Sequence, residues 1–185
     1  MPATSLLSLS RTVTAAASIA LLAAAPGAAQ FLEPDVDVER TLTGSEVGDY
    51  FGWLTANVGD LNVDGVDDVA VSAIAVGGFA GRVAVFSGAD GALLQEVLGA
   101  PGAALGYGLD AAGDVNNDGT PDYIVGGGQV LVISGLDQQV LHDFSATTGF
   151  ADAVGGGVDF DGDDHDDLVV GTIAASVSAA GAGRV

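Results

Sequence analysis

The chain contains no cysteine and no lysine, and its only four basic side chains are arginines. Without cysteine there is no disulfide, no thiolate metal site and no lipid attachment through an N-terminal cysteine. Against those four cations stand 25 acidic residues, for a formal net charge of −21. Such a balance opposes nucleic acid and anionic membrane surfaces electrostatically. Aromatic residues are scarce at 6%, yet 49% of the chain is apolar, more than a disordered chain carries. Long hydrophobic runs are missing as well. The apolar stretch Val13–Ala25, "VTAAASIALLAAA", falls short of the roughly 20 residues that span a bilayer, and no second stretch is long enough for a membrane helix. What the chain does have is glycine, 29 residues, without the three-residue period of collagen. These features describe a globular, turn-rich, all-β chain.

With no cysteine to report the compartment, the N-terminus carries that information. Arg11 closes an acid-free start, Val13–Ala25 follows, and "PGAAQ" places small residues at Gly27 and Ala29 ahead of Gln30. This is the layout of a secretory signal peptide over residues 1–29, cleaved near Ala29. An uncleaved anchor or a buried helix is the other use for such a stretch. The expected mature chain, 30–185, is exported to the extracellular space or periplasm.

The rest of the sequence repeats. "FGWLTANVGDLNVDGVDDVAVSA" (51–73) aligns with "YGLDAAGDVNNDGTPDYIVGG" (107–127) across a two-residue gap, and without a gap with "FADAVGGGVDFDGDDHDDLVVGT" (150–172). Each copy has an aromatic-small pair, a weak strand, an acidic loop and an apolar strand. The flanks repeat too: "GRVAVFSG" (81–88) and "GQVLVISG" (128–135) follow the first two copies, then "GALLQEVLG" (91–99) and "QQVLHDF" (138–144). Residues 36–44, "VDVERTLTG", hold the matching place before the first copy. In "RVAVFSG", Val83 and Val85 face one way and Ala84 and Phe86 the other, the period of a strand with both faces buried. One period is four short strands with glycine or aspartate turns. Four-stranded units recurring about every 45–55 residues are the pattern of propeller blades. The expected fold is an all-β, incomplete β-propeller of about two and a half four-stranded blades, an open arc with units near 36–90, 91–137 and 138–185. Its open strand edges invite self-association.

Phe51-Gly52, Tyr107-Gly108 and, one methyl away, Phe150-Ala151, each followed by an acidic loop and a strand, resemble FG-GAP repeats. Such repeats form the β-propeller of integrin α-subunit heads and occur widely in secreted bacterial proteins. The "GAP" element is held only by Gly77-Gly78 and by Gly126-Gly127-Gly128. The resemblance covers essentially all of the chain after the signal peptide. It implies a propeller, with function left to whatever site is grafted on it.

The loops carry the chemistry. A hard cation such as calcium takes six to eight oxygens in flexible geometry. Oxygen side chains at loop positions 1, 3, 5 and 9, with a main-chain carbonyl at 7, wrap one ion, and glycine at 6 permits the turn. The first loop assigns Asp60, Asn62, Asp64 and Asp68 with the carbonyl of Val66. The second assigns Asp114, Asn116, Asp118 and Asp122 with the carbonyl of Thr120, and the third Asp159, Asp161, Asp163 and Asp167 with the carbonyl of His165. An EF-hand needs a bidentate glutamate at position 12, where this chain has Val71, Val125 and Val170; a dockerin-type loop fails there too. An Asp-Gly turn needs no metal, but three equivalent loops of crowded carboxylates repel one another without a cation. Magnesium prefers a rigid octahedron, so up to three calcium ions are expected. The resemblance places calcium at the same positions. In the third loop Asp164 replaces the glycine of position 6. Asp67 and Asp166, at position 8, are expected to be solvated, and Trp53 to sit in the core.

Catalytic signals are weak. No nucleophile motif and no phosphate-binding glycine loop is present, and His142 and His165 read as surface residues. The expectation is a secreted, calcium-binding, non-catalytic structural or adhesion module, a fragment of a longer propeller because closure takes about four blades or more. Its partner is an extracellular protein or glycan. The competing reading is an accessory part of a secreted hydrolase whose active site lies elsewhere.

Overall fold

Alternating apolar residues between glycine turns form ten strands in the computed structural model, which describes residues 40–145, 150–162 and 166–172. Strands β1 (Phe51–Gly59), β2 (Asp68–Ala73), β3 (Arg82–Phe86) and β4 (Leu93–Leu98) make the first sheet. Strands β5 (Gly108–Gly113), β6 (Asp122–Gly126), β7 (Leu131–Ile133) and β8 (Val140–Asp143) make the second, and β9 (Ala153–Val158) pairs with β10 (Asp167–Gly171) in the third. Every pairing between these strands is antiparallel and in chain order; a single parallel bridge, Gly81 to Leu105, lies outside them. The sheets of four, four and two strands do not close into a barrel. This is the all-β architecture of an incomplete propeller, and the described residues lie within the unit Glu39–Val185. The outermost strand of each four-stranded sheet comes from the segment that opens the next sequence repeat, so sheets and repeats are phased differently. Among the described residues no helix is long and apolar enough to cross a membrane. The stretch 1–29, read as a signal peptide, lies outside the described residues.

Period-2 patterning gives the second sheet a partner on each face. Tyr123, Val125, Leu131 and Ile133 join Val58, Val83 and Val85 of the first sheet and Leu61 of the first acidic loop in one buried cluster. Their neighbours Ile124 and Val132 point the opposite way, into a cluster with Ala112 and Ala151 that Val154, Leu168 and Val170 of the third sheet cover. Each fully buried valine or isoleucine contributes roughly 1.5–3 kcal/mol of transfer free energy. A polar link crosses the first interface: the Tyr123 hydroxyl donates to Oε1 of Gln95 at 3.1 Å, and Gln95 Nε2 donates to the carbonyl of Gly135.

Glycine is needed where the backbone passes between sheets. The N–H groups of Ala104 and Leu105 donate to the carbonyls of Phe79 and Ala80 at 2.7 and 3.0 Å, and Gly128 N–H donates to Ala103 O at 2.6 Å. A Cβ on Gly81 would stand 2.2 Å from the Leu105 nitrogen, and one on Gly127 2.6 Å from the Ala104 carbonyl. Of the glycines read as the weak "GAP" element, Gly127 and Gly128 thus line a seam where a connector crosses the β6–β7 turn, whereas at the β2–β3 turn the seam is at Gly81, and Gly77 and Gly78 stand clear of it.

Trp53 is not in the core; it is 45% exposed. Between the pairs Phe51↔Ala73 and Thr55↔Val71 the register shifts, and Gly52 within that bulge takes φ +86°. The bulge re-aims the side chain, as bulges do. The same bulge leaves Phe51 edge-on to Phe86, with centroids 6.1 Å apart. Asp166 is also not a free surface charge. It is half-buried, and a Cβ on Gly113 would lie 1.8 Å from its Oδ2. Pro121, the same loop position one sheet earlier, lies against Gly59 in the same way, its Cγ 2.8 Å from the Cβ position. Asp67 is exposed and accepts from Asn57 Nδ2 at 2.9 Å.

Candidate metal centres

The first two acidic loops leave their inner strands at Gly59 and Gly113, both in the left-handed region at φ +80° and +75°. They then fold with one hydrogen-bond pattern. Asp60 accepts from the N–H of Asp64 at 3.0 Å and of Gly65 at 2.8 Å, and Asp114 accepts from Asp118 at 3.0 Å and Gly119 at 2.9 Å. Asn62 Oδ1 and Asn116 Oδ1 each take the same Asp64 or Asp118 N–H at 3.0 Å. Their amide nitrogens donate to Asp64 and Asp118 Oδ2 at 2.9 and 2.7 Å. Oδ1 of Asp64 and of Asp118 accepts from Val66 and from Thr120, both at 2.9 Å. Gly65 and Gly119, at φ +89° and +90°, supply the turn at position 6.

The position-9 carboxylates close the loops from below. Asp68 and Asp122 are fully buried at the first residues of β2 and β6. Asp68 Oδ2 accepts from Leu61 N–H and Asp122 Oδ2 from Val115 N–H, both at 2.9 Å. Burial pushes the Asp122 carboxyl above its ordinary value; N–H donors from Gly135 and Val115 pull it down, and the Asp118 and Asp114 carboxylates push it up again. A buried carboxylate near two others calls for a positive charge. No lysine exists to supply it. Arg82 pairs with Glu96 at 2.8 Å, and Arg40 donates to the carbonyls of Gly88 and Ala89.

In the third loop, Asp159, Asp161 and Asp167 bring ligand oxygens within 4.8 Å of one another. Two oxygens on one calcium at about 2.3–2.6 Å are separated by no more than about 5 Å, so this set fits the ion. Here too the position-9 carboxylate takes the position-2 N–H, Phe160 to Asp167 Oδ2 at 2.8 Å. The cap shifts, because Asp159 Oδ1 accepts from Gly162 at 2.7 Å. Asp163, Asp164 and His165 lie outside the described residues. In all three loops an ionised carboxylate offers about four lone-pair sites, so the backbone donors leave acceptor capacity for a cation.

No protein-family model matches the chain. Human integrin alpha-IIb is 42% identical to it over 93 residues, 46% of this chain and 9% of that protein. Mouse integrin alpha-7 is 31% identical over 157 residues, covering 74% of this chain and 13% of the relative. Mouse integrin alpha-E is 29% identical over 178 residues, covering 78% and 15%. The chain is an integrin α-like repeat protein of FG-GAP type. It spans only 9 to 15% of the length of these curated relatives.

Two features of this integrin α-like loop escape a reading of ligand spacing alone. Gly88 and Gly135, after β3 and β7, donate N–H to Oδ1 of Asp68 and Asp122, both at 3.1 Å. A side chain there would collide, with Cβ 1.9 Å from the carbonyl of Asp67 or Pro121. The signal was present in the repeated "FSG" and "ISG". The second feature is position 4, which is left-handed in each loop: Val63 at φ +58°, Asn117 at +56° and Gly162 at +82°. The third loop thus carries its glycine at position 4, where the first has a valine.

Proposed function

We propose that the chain is a secreted, non-catalytic interaction module of adhesion type, with blades pinned by calcium, and part of a longer propeller. Residues 1–29 act as its signal peptide. Asp60, Asn62, Asp64, Asp68 and the Val66 carbonyl hold one ion; Asp114, Asn116, Asp118, Asp122 and the Thr120 carbonyl hold a second. Asp159, Asp161, Asp163, Asp167 and the His165 carbonyl hold a third. Bound calcium supplies the positive charge these carboxylates need and ties each loop to the first residue of its apolar strand.

The observation that carries this reading is the matched geometry of the first two loops, in which two different sequences fold their four oxygen side chains onto the same backbone donors. The likeness to integrin α chains supports the adhesion role, and the acid-free, small-residue N-terminus supports export. Native mass spectrometry of the full chain in calcium tests it, with up to three bound ions expected and exported product beginning at Gln30. Protein that binds no calcium, or is retained uncleaved inside the cell, contradicts it.

A further inference from the structure

Four aromatic rings run in sequence from the first sheet to the third. Tyr50 and Trp53 have centroids 6.4 Å apart with planes at 41°, Trp53 and Tyr107 5.3 Å at 43°, and Tyr107 and Phe150 5.2 Å at 73°. Tyr50 is 56% and Trp53 45% exposed, while Tyr107 and Phe150 are half-buried. The row stands at the N-terminal ends of β1 and β5 and just ahead of β9; the acidic loops follow the C-terminal ends of those strands. At about 3.3 Å per residue, roughly 20–30 Å of strand separate the two. The row is therefore a surface distinct from the metal loops.

We propose that this row is a stacking platform for a neutral carbohydrate chain. The proposal rests on the interaction-module reading above and names its ligand class. A pyranose ring offers a C–H face to an aromatic ring and hydroxyls around its rim, matching side chains with an apolar body and a polar tip. Two tyrosines and a tryptophan supply such tips here. Charge selects among saccharides. Both described arginines are held elsewhere, by Glu96 and by the Gly88–Ala89 turn, and the net charge of −21 repels sulfated or uronic polymers. The rings are laid out in file across three sheets, which suits an extended chain.

Trp53 is the only tryptophan, so its fluorescence reports the site directly. The full chain, in calcium, is titrated with cellohexaose, chitohexaose and mannohexaose, with a heparin hexasaccharide and hexa-arginine as charged arms. The expected result is a saturable change with at least one neutral hexasaccharide, insensitive to salt and weakened about tenfold by Tyr107→Leu. Should Tyr107→Leu lose its cooperative melt, the exposed Tyr50→Ser decides, with a several-fold loss expected. No response to any neutral hexasaccharide at millimolar concentration, or a response to hexa-arginine or heparin alone, overturns the proposal. The calcium dependence of melting is read on the same samples. Silent sugars with calcium stabilisation intact overturn this proposal alone; loss of both overturns the module reading as well.

Discussion

Gly88 gives its N–H to Asp68 Oδ1 at 3.1 Å, and in doing so ties the turn after β3 to the buried carboxylate that closes the first acidic loop. The contact leaves no room for a side chain, since a Cβ would come 1.9 Å from the Asp67 carbonyl. Gly88→Ala is expected to lower unfolding free energy by about 2–3 kcal/mol and to weaken calcium binding at the first loop while sparing the second. Urea unfolding and calcium calorimetry check both effects. A variant as stable as the parent means the turn does not support the loop.

Val63 is a β-branched residue held at φ +58° with its side chain 78% exposed. The left-handed region costs such a residue about 1–2 kcal/mol, and nothing packs on the side chain in return. Val63→Asn, which copies Asn117, is expected to stabilise the protein by about 1 kcal/mol. Thermal melts compare the two; a lower midpoint for the variant counts against strain at this position.

Asp49 staples the approach to β1, accepting N–H bonds from Phe51 at 2.9 Å, Ser45 at 3.2 Å and Glu46 at 3.3 Å. The Phe51 N–H is the largest of the influences that hold its carboxyl below the ordinary 3.8. A depressed folded pKa means the ionised group stabilises fully above 3.8 and loses that contribution as pH falls through the lower folded value. Asp49→Asn is therefore expected to lower the melting midpoint at neutral pH, with the gap between the two proteins closing below about pH 4. A gap that stays constant across that range assigns the effect to shape instead of charge.

Much of the fold was legible because period and composition report on burial. The alternation in Arg82–Phe86 became β3, buried on both faces through Val83, Ala84 and Val85, and the acidic loops lie between inner strands and apolar strands. What spacing could not reveal were features set by backbone geometry. The bulge that turns Trp53 outward depends on how β1 registers with β2. The role of Gly88 is a contact with a residue twenty positions away, visible in sequence only as a repeated Ser-Gly. Asp49 has no counterpart in the second repeat, where Leu105 stands at that place, so repetition could not flag it.

Whether the acidic loops hold cations is read from the calcium dependence of melting. Scanning calorimetry of the full chain in a chelator and in millimolar calcium is expected to show a rise in midpoint of about 5 °C or more, since one site at a hundredfold excess over Kd contributes about 2.7 kcal/mol. Paired Asp60→Asn and Asp114→Asn substitutions are expected to remove most of that rise. A midpoint unmoved by calcium contradicts the central claim that these loops are cation sites.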